Sequence, residues 1–165
     1  MSVETLQELL VDELKDLYSA EKQITKALPK LAKATTSPEL KAAFENHLQE
    51  TLGQIERLDQ VFDMLDLPHK AKLCHGMQGV LEEGSEVLED VEKGDLRDAA
   101  LIGAAQRVEH YEMAGYGCVI EYANLLGHKD VAKLLAATLA EEKAADEKLG
   151  KIAKQVNSNA MKQAA

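Results

Sequence analysis

The chain has no tryptophan, two phenylalanines and four tyrosines, and only three prolines and ten glycines among its 165 residues. Aromatic and β-branched residues are too sparse to build a sheet, while Ala, Leu, Glu and Lys dominate, so the expected class is all-α. The two cysteines, Cys74 and Cys118, form neither a CxxC pair nor a dense framework, and are read as core thiols in a reducing compartment. Positive charge is in deficit. Nineteen Lys and Arg face 29 Asp and Glu, a net charge of −10, which argues against a nucleic-acid partner and favours cations as guests. No stretch approaches the ~18 uncharged apolar residues of a membrane span. No basic segment followed by an apolar run appears in MSVETLQELL either, so a cytoplasmic protein without a membrane partner is expected.

What the chain does have is helical periodicity. Leu10, Leu14, Leu17, Glu21, Ile24, Leu28 and Leu31 recur at helical spacing, predicting a helix from near Ser2 to the TTSP stop. Ser37 is placed as an N-cap with Pro38 in the first turn of a second helix, whose stripe of Leu40, Phe44, Leu48, Ile55, Leu58, Phe62 and Leu65 runs to Pro68. A shorter helix is expected over Lys72–Glu92, broken in pattern by Gly76, Gly79 and Gly84. Two long ones follow, over Asp95–Leu126 and Lys129–Gln155. The polar segment NSNAMKQAA is expected to fray, giving a helical domain over 1–156 and a tail over 157–165. Tight connections at TTSP and NLLGHKD imply two antiparallel hairpins, and the long middle connection implies a crossover: a four-helix bundle with a short fifth helix. A shift of 91 residues lays Tyr18–Leu58 over Glu109–Leu149 without a gap, which supports two similar hairpins.

Acids interrupt the apolar stripes. Glu21 does so in the first helix, Glu109 and Glu112 in the fourth, and Glu142 in the fifth, each near its helix's midpoint. In the second helix Thr51 holds the stripe position, with His47, Glu50 and Gln54 in a line beside it, and Glu50 is the expected contributor. Any one of these glutamates is most simply a solvated side chain. One per helix at matching heights is a different matter, because several carboxylates in an apolar interior cost several kcal/mol each and repel one another. Two divalent cations carry the charge that four carboxylates require, and oxygen donors with at most one nitrogen suit iron first, manganese second, and zinc less. His47 is read as a residue that orients a carboxylate rather than a ligand, and His110, Gln23 and Glu141 as weaker candidates. Tyr18 and Tyr116 are read as packing residues whose hydroxyls find a partner.

The stretches YSAEKQITKAL, HLQETLGQIERL, VEHYEMAGYG and TLAEEKAADEKL closely resemble the YciF/YciE-like bacterial stress proteins, and the resemblance spans all four long helices. It implies a ferritin-like, rubrerythrin-related bundle with a dinuclear metal site, assembled as a homodimer, linked to stress responses and without an assigned reaction. Carried over by motif, the site would comprise Glu21, Glu50, Glu109, Glu112 and Glu142. The di-iron pattern of such bundles pairs two lone glutamates with two Glu-x-x-His motifs. Here Gly53 and Ala145 stand where the histidines would be. Gln54 on the second helix and the additional Glu109 are the expected substitutes, in a site richer in oxygen than the pattern. The functional expectation is a stress protein whose metal pair reacts with dioxygen or peroxide. The alternative is a non-enzymatic structural or interaction homodimer with the acidic site empty or structural.

Overall fold

The computed structural model describes residues 2–163 and contains five helices: α1 (Leu6–Ala34), α2 (Pro38–Met64), α3 (His75–Asp90), α4 (Asp95–Leu125) and α5 (Lys129–Gln163). No strand occurs among the described residues, and none of these helices is long and apolar enough to cross a membrane.

Local chemistry sets the helix ends. Thr5, not Ser2, caps α1: its hydroxyl accepts from the Glu8 N–H at 3.1 Å while the Glu8 carboxylate accepts from the Thr5 N–H at 3.0 Å, a closed capping box. Ser37 caps α2, with Pro38 at its start. The turn between them is pinned from across the bundle. Buried Asp98, in the first turn of α4, accepts from the Thr36 N–H at 2.9 Å and the Ser37 N–H at 2.6 Å. Gly127, at φ 81°, makes the left-handed turn that joins α4 to α5. The expected fraying after Gln155 does not occur. Buried Val156 holds α5 against the core, and helix-tolerant residues continue it to Gln163; the last two residues of the expected tail lie outside the described ones.

α1 packs against α2 and α4, and α5 against α4 and α2, which leaves α2 and α4 diagonally opposed. The starts of both, at Leu40 and Leu101, sit in one apolar cluster, and their later parts, at Phe62 and Val119, sit in another. The two helices are therefore parallel. The chain between them must travel back along the bundle, and α3 forms on that return path, packed on α4 and α1. This is the ferritin-like four-helix bundle with a long crossover.

The core is in two pieces. One cluster gathers Ile24, Leu28, Phe44, Ile102 and Leu149 with Met77 of α3, and the other gathers Leu10, Leu14, Leu58, Phe62, Tyr116 and Leu135. Gly115 lets Leu17 approach α4 closely in the second cluster, since a Cβ there would lie 2.8 Å from Leu17 Cδ2. Between the clusters the same inward-facing stripes carry polar side chains.

Candidate metal centre

Each long helix brings its inner stripe to this middle layer. α1 supplies Glu21, α4 supplies Glu109, Glu112 and, one turn on, Tyr116, and α5 supplies Glu142; all are buried. On α2 the inner stripe runs through Phe44, His47, Thr51, Gln54 and Leu58, all buried. Their alternating spacings of three and four are the period of one helix face.

His47, Glu109, Glu112 and Glu142 each present one donor atom, and these four atoms lie within 4.8 Å of one another. His47 Nε2 is 3.2 Å from Glu109 Oε1 and 3.8 Å from Glu142 Oε2. Glu21 adjoins this group and is anchored by the Tyr116 hydroxyl, which donates to its Oε1. The Gln54 amide donates to Glu142 Oε1 and, at 3.0 Å, to Glu141 Oε2. Thr51 donates to the His47 carbonyl at 2.8 Å, so it occupies the stripe without offering the layer a free donor.

Sequence reasoning and geometry part on α2. Glu50 does not enter the layer: its side chain is 49% exposed, and its Oε2 lies 3.4 Å from His47 Nδ1, behind the imidazole. His47 faces inward in its place. His47, read from the sequence as orienting a carboxylate, brings its ring from two turns before Gln54 in among the carboxylates themselves. The signal was available in the unbroken three-four spacing from Phe44 to Leu58, which passes through His47 and Gln54 and misses Glu50. On α5, Glu142 points inward and Glu141 outward. Arg57 grips Glu141 with two hydrogen bonds of 2.9 and 3.0 Å. Partial burial alone would raise the Glu141 pKa, but hydrogen bonds from Arg57 and Gln54 hold it below the ordinary carboxylate value.

The remaining candidates lie elsewhere. His110 is exposed beside Asp146, Gln23 bonds Ser19 and the Cys74 carbonyl, and Tyr18 donates to Asp59 at 2.6 Å. Cys74 is buried, in contact with the Tyr111 hydroxyl, but Cys118 is exposed on the outer face of α4 and is not a core thiol.

Electrostatically the layer is incomplete. Burial first, and then the Glu142 charge, push Glu21 up to about 8, against the opposing hydrogen bond from Tyr116. Burial, and then the closeness and charge of Glu142, raise Glu109 well above the ordinary range; for Glu112 burial leads, followed by the Glu21 and Glu142 charges. Tyr116 is likewise raised, by burial and then by Glu21. No buried lysine or arginine among the described residues offsets these acids. Among the described residues, seven buried side-chain polar atoms lack a hydrogen-bond partner: Glu21 Oε2, His47 Nε2, Gln54 Oε1, Glu109 Oε2, both Glu112 oxygens and Glu142 Oε2. All seven belong to this one layer, and each unpaired group costs about 1–3 kcal/mol. Lone pairs converging on one level, on acids that burial holds from ionising and that no buried basic side chain offsets, are what a cation site presents, and the oxygen-rich set with one imidazole fits iron or manganese.

A parallel-and-antiparallel bundle of this connectivity, with carboxylates from three helices and an imidazole from the fourth meeting at mid-height, belongs among the ferritin-like carboxylate bundles. The family described as "Domain of unknown function (DUF892)" matches residues 5–162, and the chain belongs to it. It is 51% identical to Protein YciF of Escherichia coli K12 over 154 residues, covering 93% of each chain. The crystal structure of the E. coli stress protein YciF matches with a TM-score of 0.91 at 50% identity, over 94% of this chain and 99% of that one. YcfI of Rhodopseudomonas palustris, described as a candidate structural protein, matches with a TM-score of 0.89 at 43% identity, over 90% and 95% of the two chains.

Proposed function

We propose that the buried layer binds two divalent metal ions, iron in preference to manganese, and that the loaded protein reacts with a small oxidant, dioxygen or peroxide, as part of a stress response. The observation that carries this reading is the concentration of all seven unpaired buried polar atoms at one level of the bundle. Two divalent ions match the charge of Glu21, Glu109, Glu112 and Glu142, and a bound iron or manganese pair supplies the electrons that such an oxidant accepts.

The chain's own residues divide the work. Glu112 has both oxygens unpaired and feels the charges of Glu21, Glu142 and Glu109, so it would help to hold the ions with whichever oxygen faces them. His47, Glu109 and Glu142 would hold one ion and Glu21 the other. Tyr116 fixes the Glu21 rotamer, and Gln54 fixes Glu142 while turning its own unpaired oxygen to the layer. Arg57 keeps Glu141 out of the set.

A structural role without chemistry is the second reading, favoured by the description of the R. palustris relative. Metal analysis of protein purified without chelator, combined with oxygen consumption on addition of ferrous iron, separates the two. About two ions per chain with rapid consumption supports the first; metal-free protein that neither takes up ferrous or manganous ion nor consumes oxygen sinks it.

A further inference from the structure

A cavity of about 120 Å³ opens beside the layer, on the side that carries His47 and Glu109. Its interior is walled by Ile24, Leu28, Ala43, Ala105, Ala145 and Leu149, while exposed Asn46, Glu50 and Lys148 form its rim. The walls are hydrocarbon, so a water molecule inside would find few partners except at the His47 and Glu109 end.

The internal repeat supplies a control for whether this space is incidental. Shifting by 91 residues pairs α1 with α4 and α2 with α5, and thus compares the two ends of the bundle position by position. Ala105 pairs with Leu14, Ala43 with Leu134, Ala145 with Gln54, and Glu109 with Tyr18. In all four cases the opposite end has the larger side chain, and Leu14, Gln54 and Tyr18 are buried there. At these four positions the side chains beside the cavity are smaller than their counterparts, whereas Ile24, Leu28 and Phe44 are larger than theirs, Gly115, Val119 and Leu135, so the opening is local to the alanines and Glu109. That opening touches the donor cluster.

A hydrocarbon-lined cavity of about 150 Å³ stays dry and takes up benzene or xenon. The present one is slightly smaller. We propose that it is a binding site for one small uncharged apolar molecule, a short hydrocarbon or a compact ring, held against the His47 and Glu109 edge of the layer. The mixed charges of Glu50 and Lys148 lie at the rim and leave the interior without a counter-charge for an ionic guest. Occupancy of the cavity does not require metal; the guest's role as a substrate of the centre rests on the metal reading above.

Xenon is the direct probe. Crystals of the full chain pressurised with xenon, and xenon-129 NMR titrations in solution, should show one principal site between Ala43, Ala105 and Leu149, in metal-free and metal-loaded protein alike. Ala105→Leu, which copies Leu14, should abolish that site while leaving helicity intact, and Ala43→Leu, copying Leu134, repeats the test from α2. Loss of xenon in either folded variant supports the assignment. No xenon in the wild-type cavity, or ordered water filling it, or unchanged binding in both variants, overturns it. Because the metal-free protein is included, a failure of metal binding with xenon still bound would refute the proposed function and leave the cavity site standing.

Discussion

Titrating the metal-free protein should show a stability that falls as pH rises through neutrality, opposite to the usual behaviour of proteins held by ion pairs. Glu21 carries the argument because its folded-state pKa is displaced from the ordinary 4.5 to about 8. Below pH 4.5 the carboxyl is protonated in both folded and unfolded chains and contributes nothing to the difference. Between 4.5 and 8 the folded chain retains a proton that the unfolded chain has lost, so stability declines by about 1.4 kcal/mol per pH unit for this group. Above 8 the penalty is constant at roughly 5 kcal/mol, an order-of-magnitude figure for one fully buried carboxyl. Glu109 and Glu112 are displaced in the same direction and steepen the decline. In a domain of this size 1 kcal/mol moves Tm by about 2–4 °C, so Glu21 alone is worth ~10–20 °C between pH 4.5 and 8.

The assay is calorimetry of chelator-treated, dialysed protein across pH 5–8, beside Glu21→Gln. The window stays above the range in which carboxylates held below their ordinary pKa, such as Glu141, begin to lose their partners. Glutamine preserves an oxygen to accept from Tyr116 and removes the titration, so the variant's curve should be flatter and its Tm at pH 8 higher than wild type. A wild-type Tm that is level or rising across this window, or a Glu21→Gln protein less stable than wild type at pH 8, would refute the claim that unneutralised carboxylates burden the core.

Adding ferrous or manganous ion at pH 7 should raise Tm in proportion to the logarithm of free ion above Kd, and Glu112→Gln should lose most of that increase; equal melting with and without metal counts against the centre. His47→Ala should weaken metal affinity by at least ~10–100-fold, the cost usual even for groups that only support a ligand, as read by isothermal titration. Gly53→His should leave metal preference unchanged, because a Cβ at that exposed position meets no atom within 4 Å and points away from the layer; a shift towards zinc would show that α2 is rotated from the register described. Asp98→Ala should lower stability by at least ~1.5–3 kcal/mol through loss of its charge-assisted bonds to the Thr36 and Ser37 N–H groups, visible in urea melts, with metal uptake unaffected.

The helices and their order were legible in the sequence because the relevant signals are local and redundant. Ser37 before Pro38 places one helix start to the residue, and Gly127 marks the turn after α4. The start of α1 was three residues off, since Ser2 and Thr5 are both competent caps and only the reciprocal bond with Glu8 chooses between them. The end of α5 was eight residues short: the polar composition after Gln155 speaks for fraying, and the anchoring of Val156 in the core is a tertiary fact. Of the acids, Glu21, Glu109, Glu112 and Glu142 sit on stripes with no competing apolar partner in register, so their inward direction follows from spacing alone. Glu50 misled for the opposite reason. Charge made it the natural ligand from α2, whereas period puts His47, Thr51 and Gln54 on the inner face and leaves Glu50 about 100° away from Thr51.

That rotation also explains why the two halves of the repeat differ in kind. Laid over one another, Glu142 falls on Thr51 and Glu109 on Tyr18, so α1 and α2 give up two of the carboxylates that α4 and α5 keep. Tyr18 spends its hydroxyl on Asp59 and its ring on Phe62, at a centroid distance of 5.2 Å, and so belongs to the same apolar cluster as Phe62. Four inward carboxylates with one imidazole then suffice for a pair of divalent ions, where a fully symmetric layer would add two further charges without a cation to match them. The end where Leu10, Leu14, Leu58, Phe62 and Leu135 are buried together can offset part of the instability that the acidic layer imposes. Alanines at the other end give up some of that packing and leave His47 and Glu109 approachable from the cavity side. Stability and access are therefore assigned to opposite ends of one bundle, with the acidic layer as the boundary between them.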